Sequence, residues 1–159
     1  RGAGVSGDAD AGLSRRLFGA FLTWLQEKRD EVFVVATAND LSILPPELLR
    51  KGRFDEIFFV DLPDPDERES ILKIHLGLHK QDPARFDLAP VVAASEGFSG
   101  AEIEQAVVGA LYRALLVKRP LETALLVEEV RQTVPLSTSR REDIERLREM
   151  ASGRFVSVR

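Results

Sequence analysis

The sequence has no cysteine, only two histidines, and one each of methionine, tryptophan and tyrosine. Without thiols there is neither a disulfide framework nor a thiolate metal site. His75 and His79 are too few for a metal cluster. No apolar run approaches the ~20 residues of a membrane span, and no signal-peptide pattern opens the chain. Basic residues are not in excess: 22 Lys and Arg stand against 26 Asp and Glu, a formal charge of −4. A general binder of nucleic acid or of a membrane surface would be basic, so neither partner is expected. A reducing, cytoplasmic compartment is the default. Also missing are a GxxxxGK[ST] loop and an apolar strand ending in Asp-Glu. A complete P-loop ATPase needs both, the loop to cradle phosphates and the acidic pair to hold magnesium and polarise water.

What is present is enough for one ordinary domain or a piece of a larger protein: 159 residues, 44% hydrophobic and 30% charged. Residues 32–63 organise the chain. They read VFVVATANDLSILPPELLRKGRFDEIFFVDLP. Residues 32–36 and 57–60 are short, β-branched and aromatic, the pattern of strands buried on both faces in a parallel sheet. Asn39 follows the carboxyl end of the first strand, the edge at which open α/β sheets bind ligands. Its amide can donate to a phosphate oxygen and accept from a water. An Asx turn made by Asn39 and Asp40 is the plainer alternative. Pro45 and Pro46 favour a short helix over 47–50, broken by Gly52. Arg50 and Arg53 bracket that glycine and suit a phosphate or carboxylate; a solvated basic turn is the alternative.

ATAND followed by LPPELLRKGRFDEIFFVDLPDPDER resembles the second region of homology of AAA ATPases, and most of all bacterial and plastid members of unassigned role that carry LLRKGRFDE. Lys51 and Glu56 depart from the commonest pattern, which has Pro and Arg there. The resemblance covers residues 13–115 firmly. It implies an α/β fold: the C-terminal part of a P-loop NTPase sheet domain over residues 1–62, then an all-helical lid bundle over 63–159. The chain is accordingly expected to begin just after the Walker B strand. The resemblance also implies that Asn39 is sensor 1 and that Arg50 and Arg53 are arginine fingers. The cofactor implied is ATP, with Mg2+ held by residues outside this segment. The partners implied are neighbouring subunits of a homo-oligomeric ring, a hexamer, acting on a protein substrate.

The remaining chain reads as helices. Residues 1–12 are Gly-rich and expected to be a flexible loop, leading toward the central pore by resemblance. Ser14 can cap a helix to about Arg29, with Leu17, Phe18, Phe21, Leu22 and Leu25 on one face and Trp24 beside it. Arg15 and Arg16 lie in its first turn, an unfavourable place for cations. Asp64 and Pro65 start a second helix whose inner face is expected to be Ile71, Ile74, His75 and Leu78. By resemblance His75 lies beside the nucleotide; a satisfied core histidine is the alternative. A short helix is expected over 88–96, stopped by Gly97. Ser99 and Glu102 form a capping box, and Phe98 with Ile103 a hydrophobic staple. The helix that follows repeats apolar residues from Ile103 to Leu115. By resemblance, Gly100 and Ala101 at its start lie against the nucleotide. Further helices are expected over 122–133 and, capped by Ser139 and Glu142, to about Ala151 with Ile144, Leu147 and Met150 inward. The final FVSVR is expected to be a loose tail.

The function implied is ATP hydrolysis at subunit interfaces that remodels a macromolecular substrate. The segment alone is expected to be inactive. A helical adaptor whose basic turn binds an acidic partner is the rival reading. One structural expectation follows. In the AAA sheet the phosphate-loop strand lies between the two strands seen here, so both should lack a neighbour and re-pair or swap.

Overall fold

The structure is a computed structural model that describes residues 6–27, 31–41, 43–50 and 52–158. The expectations for residues 1–5, Lys28, Arg29, Lys51 and the Arg15 side chain lie outside the described part. The chain divides into two compact units at Phe58/Phe59.

In the first unit, helix α1 spans Ser6–Glu27. It therefore starts well before Ser14, and residues 6–12 are helical rather than a flexible loop. Ala9 and Ala11 are strong helix formers, which offsets Gly7 and Gly12. Phe18, Phe21, Leu22 and Leu25 are half-buried. Trp24 stacks on Phe21 with ring centroids 5.9 Å apart, so it packs as its position suggests.

The expected strand at 32–36 does not form: residues 31–38 are neither helix nor strand. Phe33 is 92% exposed and Val35 75%. An apolar strand is stable only when neighbours on both sides take its backbone groups and cover its faces. The described residues supply no such sheet, so the α/β layer anticipated from the sequence is not built. The expected helix at 47–50 is a run of turns instead, with Leu48 N–H donating to Pro45 O at 2.9 Å and Leu49 N–H to Pro46 O at 3.2 Å. Leu48 is the buried anchor of this stretch.

The second unit starts within β1, Phe58–Phe59, to which the expected strand at 57–60 shrinks. This strand pairs with β2, Val156–Ser157, in a two-stranded sheet. Val158 N–H donates to Phe59 O at 3.2 Å. Within the terminal FVSVR, residues 156–157 are thus a strand partner rather than part of a loose tail.

Helix α2, Pro65–Leu78, opens on a capping box: Glu67 N–H donates to the Asp64 carboxylate and Asp64 N–H to the Glu67 carboxylate, both at 2.9 Å. Its buried face is Arg68, Leu72 and Leu76, with Ile71 packed beside them. This corrects the expected face, since Ile74 and Leu78 are exposed. Arg68 explains the choice. Its stem packs inward while Nη1 donates to Pro63 O at 3.0 Å and Nη2 to Val92 O at 3.2 Å.

A 3-10 turn at Pro83–Arg85 and helix α3, Ala89–Ala94, follow. Helix α3 is shorter than the 88–96 expected. Ser95 ends it with its backbone N–H on Val91 O, and Gly97 turns the chain at φ +77°. Helix α4, Gly100–Leu116, has the expected capping box. It is the centre of the unit, packing on α2 and on α5, Thr123–Gln132. Ile103, Ala106, Val107, Ala110 and Ala114 are buried along it, and the alanines let neighbouring helices approach closely. Leu115, expected inward, is exposed. Arg113 ties α4 to α5 through Glu128 at 2.6 Å and Glu129 at 3.0 Å.

Two last helices complete the unit: α6, Leu136–Ser139, and α7, Arg141–Ala151. The capping box expected from Ser139 and Glu142 is absent. Ser139 belongs to α6, with its hydroxyl on Leu136 O, so Arg140 takes the cap position without a side-chain bond. Ile144, Leu147 and Met150 are half-buried and Ala151 is buried.

Phe98 is among the largest fully buried side chains. Phe98→Ala is expected to cost about 3–5 kcal/mol, read as a fall in the urea midpoint, whereas Leu116→Ala at an exposed site stays within ~0.5 kcal/mol. At Gly97 an added Cβ would run into the Ser137 hydroxyl and would also sit at positive φ. Gly97→Ala should therefore destabilise by at least ~1 kcal/mol in the same measurement.

Candidate functional site

The residues singled out in the sequence fall into two groups, one in each unit. The first comprises Asn39, Arg50 and Arg53. Asn39 is exposed at a bend. Arg50 and Arg53 flank Gly52, whose φ of +88° explains why glycine stands there; Arg53 N–H donates to Arg50 O at 3.4 Å. Arg50 is exposed and Arg53 half-buried. The Arg53 guanidinium lies against the Gln26 side chain, whose amide oxygen accepts from it when the amide is turned to face it. Among the described residues no hydrogen bond or ion pair joins Asn39 to either arginine. The turn thus carries two cations, Arg50 exposed and Arg53 held against Gln26, and guanidinium groups of this kind suit a phosphate or carboxylate.

The second group comprises His75, Gly100 and Ala101. His75 is half-buried on α2, and its Nδ1 is a buried atom with no hydrogen-bond partner. A buried ring nitrogen left unpaired is unfavourable unless a ligand or water supplies the bond. Gly100 begins α4 one helical turn away from this face: a Cβ on it would be 3.7 Å from Ile71 Cδ1, and Ile71 lies four positions before His75. The first turn of α4 has four backbone donors. Glu102 N–H goes to Ser99 Oγ at 3.4 Å and Ile103 N–H to Ser99 O at 3.1 Å. The amides of Gly100 and Ala101 are left without a protein acceptor among the described residues. Free amides at the positive end of a long helix suit a phosphate, and the orphaned imidazole nitrogen on α2, the helix packed against it, suits a hydroxyl or other donor. His79, by contrast, only closes α2 with its backbone. Among the described residues no group of three or more His, Cys, Asp or Glu could hold a metal ion, and no helix is long and apolar enough to cross a membrane.

Three features escaped the sequence reading. One is Arg68, buried with Nε unpaired. The second is the reach of Glu102: besides capping α4, its Oε1 accepts from Leu136 N–H at 2.7 Å. The third is a bidentate pair in which Arg148 Nε donates to Asp61 Oδ2 at 2.9 Å and Nη2 to Oδ1 at 2.9 Å. That hydrogen bond, with the charges of Asp61 and Glu145, raises the Arg148 pKa despite partial burial. A raised cation pKa means the stabilisation is complete below the ordinary arginine range and lost only above it, far from neutral pH. Both partners are more than a third exposed, so the pair contributes no more than about 1 kcal/mol.

Residues 3–62 match the family described as "ATPase family associated with various cellular activities (AAA)". The chain is 46% identical over 144 residues to an uncharacterized AAA domain-containing protein ycf46 of Guillardia theta, covering 90% of this chain and 28% of that protein. It is 46% identical over 149 residues to the ycf46 protein of Pyropia yezoensis, covering 93% and 30%. It is 37% identical over 149 residues to an ATP-dependent zinc metalloprotease FtsH of Pirellula staleyi, covering 92% and 20%. The chain thus spans less than a third of the length of these relatives. No solved structure matches it. The ordered residues from Asn39 through Arg53, the family match that contains them and the identity to the ycf46 proteins lead to one conclusion: the chain belongs to the AAA ATPases, proteins built on the P-loop NTPase fold.

Proposed function

We propose that this chain supplies the sensing, finger and lid elements of an oligomeric, ATP-hydrolysing machine that remodels a protein substrate. Residues 1–62 form the end of the nucleotide-binding domain and residues 63–159 its lid. Asn39 orients the attacking water near the terminal phosphate. Arg50 and Arg53 reach the nucleotide held by the neighbouring subunit of a ring, taken as a hexamer. His75 and the amides of Gly100 and Ala101 contact the nucleotide held by their own subunit. ATP brings Mg2+, which residues outside this chain coordinate. The site of action is the cytoplasm or an equivalent reducing compartment. The 159 residues by themselves do not turn over ATP, because they contain no phosphate-cradling GxxxxGK[ST] sequence.

One observation carries the reading. The family match over residues 3–62 encloses Asn39, Arg50 and Arg53 in the order the chemistry needs. Support for the lid contacts comes from the orphaned His75 Nδ1. Phosphoryl transfer gives a protein little covalent chemistry to do; positioning and charge stabilisation dominate. A guanidinium supplied from a neighbour changes turnover by on the order of 10³ to 10⁵, or roughly 4–7 kcal/mol of barrier. Hydrolysis then depends on assembly, and a lid that follows the nucleotide moves its neighbour.

The test is Arg50→Ala with Arg53→Ala in the intact protein. Turnover of the assembled ATPase should fall by about 10³-fold or more, with ATP affinity altered only a few-fold. Unchanged assembly-dependent turnover would remove the finger assignment and favour the adaptor reading, in which the basic turn holds an acidic partner. Separately, His75→Ala should weaken nucleotide binding by about tenfold, the worth of one to two hydrogen bonds, measured with a fluorescent ATP analogue. Equal affinity would return His75 to a packing role.

A further inference from the structure

The stretch from Leu136 to Ala151, helices α6 and α7, is held at both ends by bonds that are distant in sequence. At one end Leu136 N–H donates to Glu102 Oε1 at 2.7 Å. The other oxygen of the same carboxylate accepts from Ser99 N–H at 2.7 Å and Ser99 Oγ at 2.8 Å. The Ser137 side chain fills the space left by the missing Cβ of Gly97. At the other end Arg148 grips Asp61 in the bidentate pair, just past the division between the two units. Beyond α7, Phe155 N–H returns to Ala151 O at 3.1 Å, and Val158 N–H donates to Phe59 O at 3.2 Å. Helix α7 is 11 residues long, a rod of ~16 Å.

We propose that α6–α7 is a strap that relays occupancy of the α4 N-terminus to the junction residues Phe59, Val60 and Asp61. The inference rests on the nucleotide reading of Gly100 and Ala101 given above. Glu102 is the residue after Ala101, and its carboxylate serves α4 and α6 at once. An anion drawn to the amides of Gly100 and Ala101 brings like charge toward that carboxylate, which then shifts on the Leu136 amide it holds. The rod of α7 carries the displacement to Arg148. A bidentate guanidinium–carboxylate pair is directional as well as attractive, so Asp61 follows it. The junction therefore senses the nucleotide from behind, through the end of the chain, as well as along α2. Glu102 and Arg148 are positioning residues in this scheme; neither touches the nucleotide.

Leu136→Pro tests it with little collateral change. Pro135 already has φ −67° and ψ 147°, the conformation that a residue before proline requires, and position 136 is the first of its helix, where proline is tolerated. The variant removes the N–H by which this segment reaches Glu102 and leaves the Ser99 bonds in place. Leu136→Ala keeps the N–H and controls for the side chain. Hydrogen exchange of the intact protein is read with and without ATP–magnesium at residues 99–104, 59–63 and 152–158. In the parent and in Leu136→Ala, ATP should slow exchange at 99–104 and change it at the two distant segments. In Leu136→Pro the change at 99–104 should remain and the distant changes vanish. Without nucleotide, residues 59–63 and 152–158 of that variant should exchange about tenfold faster than in Leu136→Ala. Arg148→Gln cuts the strap at its other end and should give the same loss of the distant response, so the test survives if the proline variant fails to fold. Distant segments that respond to ATP in either folded variant as in the parent would overturn the strap while leaving the nucleotide reading intact. An absence of any ATP effect at 99–104 in the parent would overturn the nucleotide reading and the relay together.

Discussion

A single carboxylate organises the better-packed half of this molecule. Glu102 accepts from Ser99 twice and from Leu136 once. The first two bonds start α4, the helix against which α2 and α5 pack. The third seats the C-terminal helices on that same start. A half-buried carboxylate with three donors is well satisfied, and each charged hydrogen bond contributes more than a neutral one. Because Glu102 and Ser99 use the cap positions reciprocally, the two amides of Gly100 and Ala101 stay open in the first turn. The bond that builds the helix therefore also decides which of its donors stay open.

The two units differ in how far they can satisfy themselves. The second has a contiguous core running from Leu72 through Phe98, Ile103 and Val107 to Leu126 and Val130. In the first, Leu48 is the one buried apolar residue among the described residues, and Phe33, Val35 and Ile43 lie on the surface. Those side chains have the composition of a sheet interior without the sheet. Residues 31–38 could be covered only by neighbouring strands, and Phe59 has taken what the chain offers, the backbone near its own terminus. β1 pairs with β2 in a two-stranded sheet, while the 32–36 segment is irregular.

What the sequence revealed was mostly local. Asp64 with Pro65 and Ser99 with Glu102 mark helix starts within four residues, so the residue types alone identify them. Gly52 and Gly97 mark turns for the same reason. The errors share a non-local cause. Ile71, Ile74 and Leu78 form one possible stripe on α2, and Arg68, Leu72 and Leu76 another. The second is buried because the guanidinium of Arg68 reaches Val92, 24 residues away, which periodicity cannot show. The same holds for Leu136 on Glu102 and for Arg148 on Asp61, separated by 34 and 87 residues. Ser139 and Glu142 had the letters of a capping box, but Ser139 is used by α6. In the candidate site, Arg50, Gly52 and Arg53 were legible as a basic turn. The open state of His75 Nδ1 and of two α4 amides needed coordinates.

These features describe one division of labour. A basic turn lies in the first unit, with Arg50 exposed and Arg53 held against Gln26, and two open amides lie at the start of α4 in the second. Each is incomplete within this chain, as expected if a phosphate is shared between subunits. Mixing two kinds of intact subunit measures that most directly. One kind carries Arg50→Ala and Arg53→Ala. The other keeps both arginines but has its phosphate-loop lysine disabled. Neither hydrolyses ATP alone. If the guanidinium groups act on the neighbour's nucleotide, mixed assemblies regain turnover, because disabled-loop subunits lend their arginines to sites that still bind ATP. Mixtures that stay as inactive as their parents, although they co-assemble, would contradict the assignment.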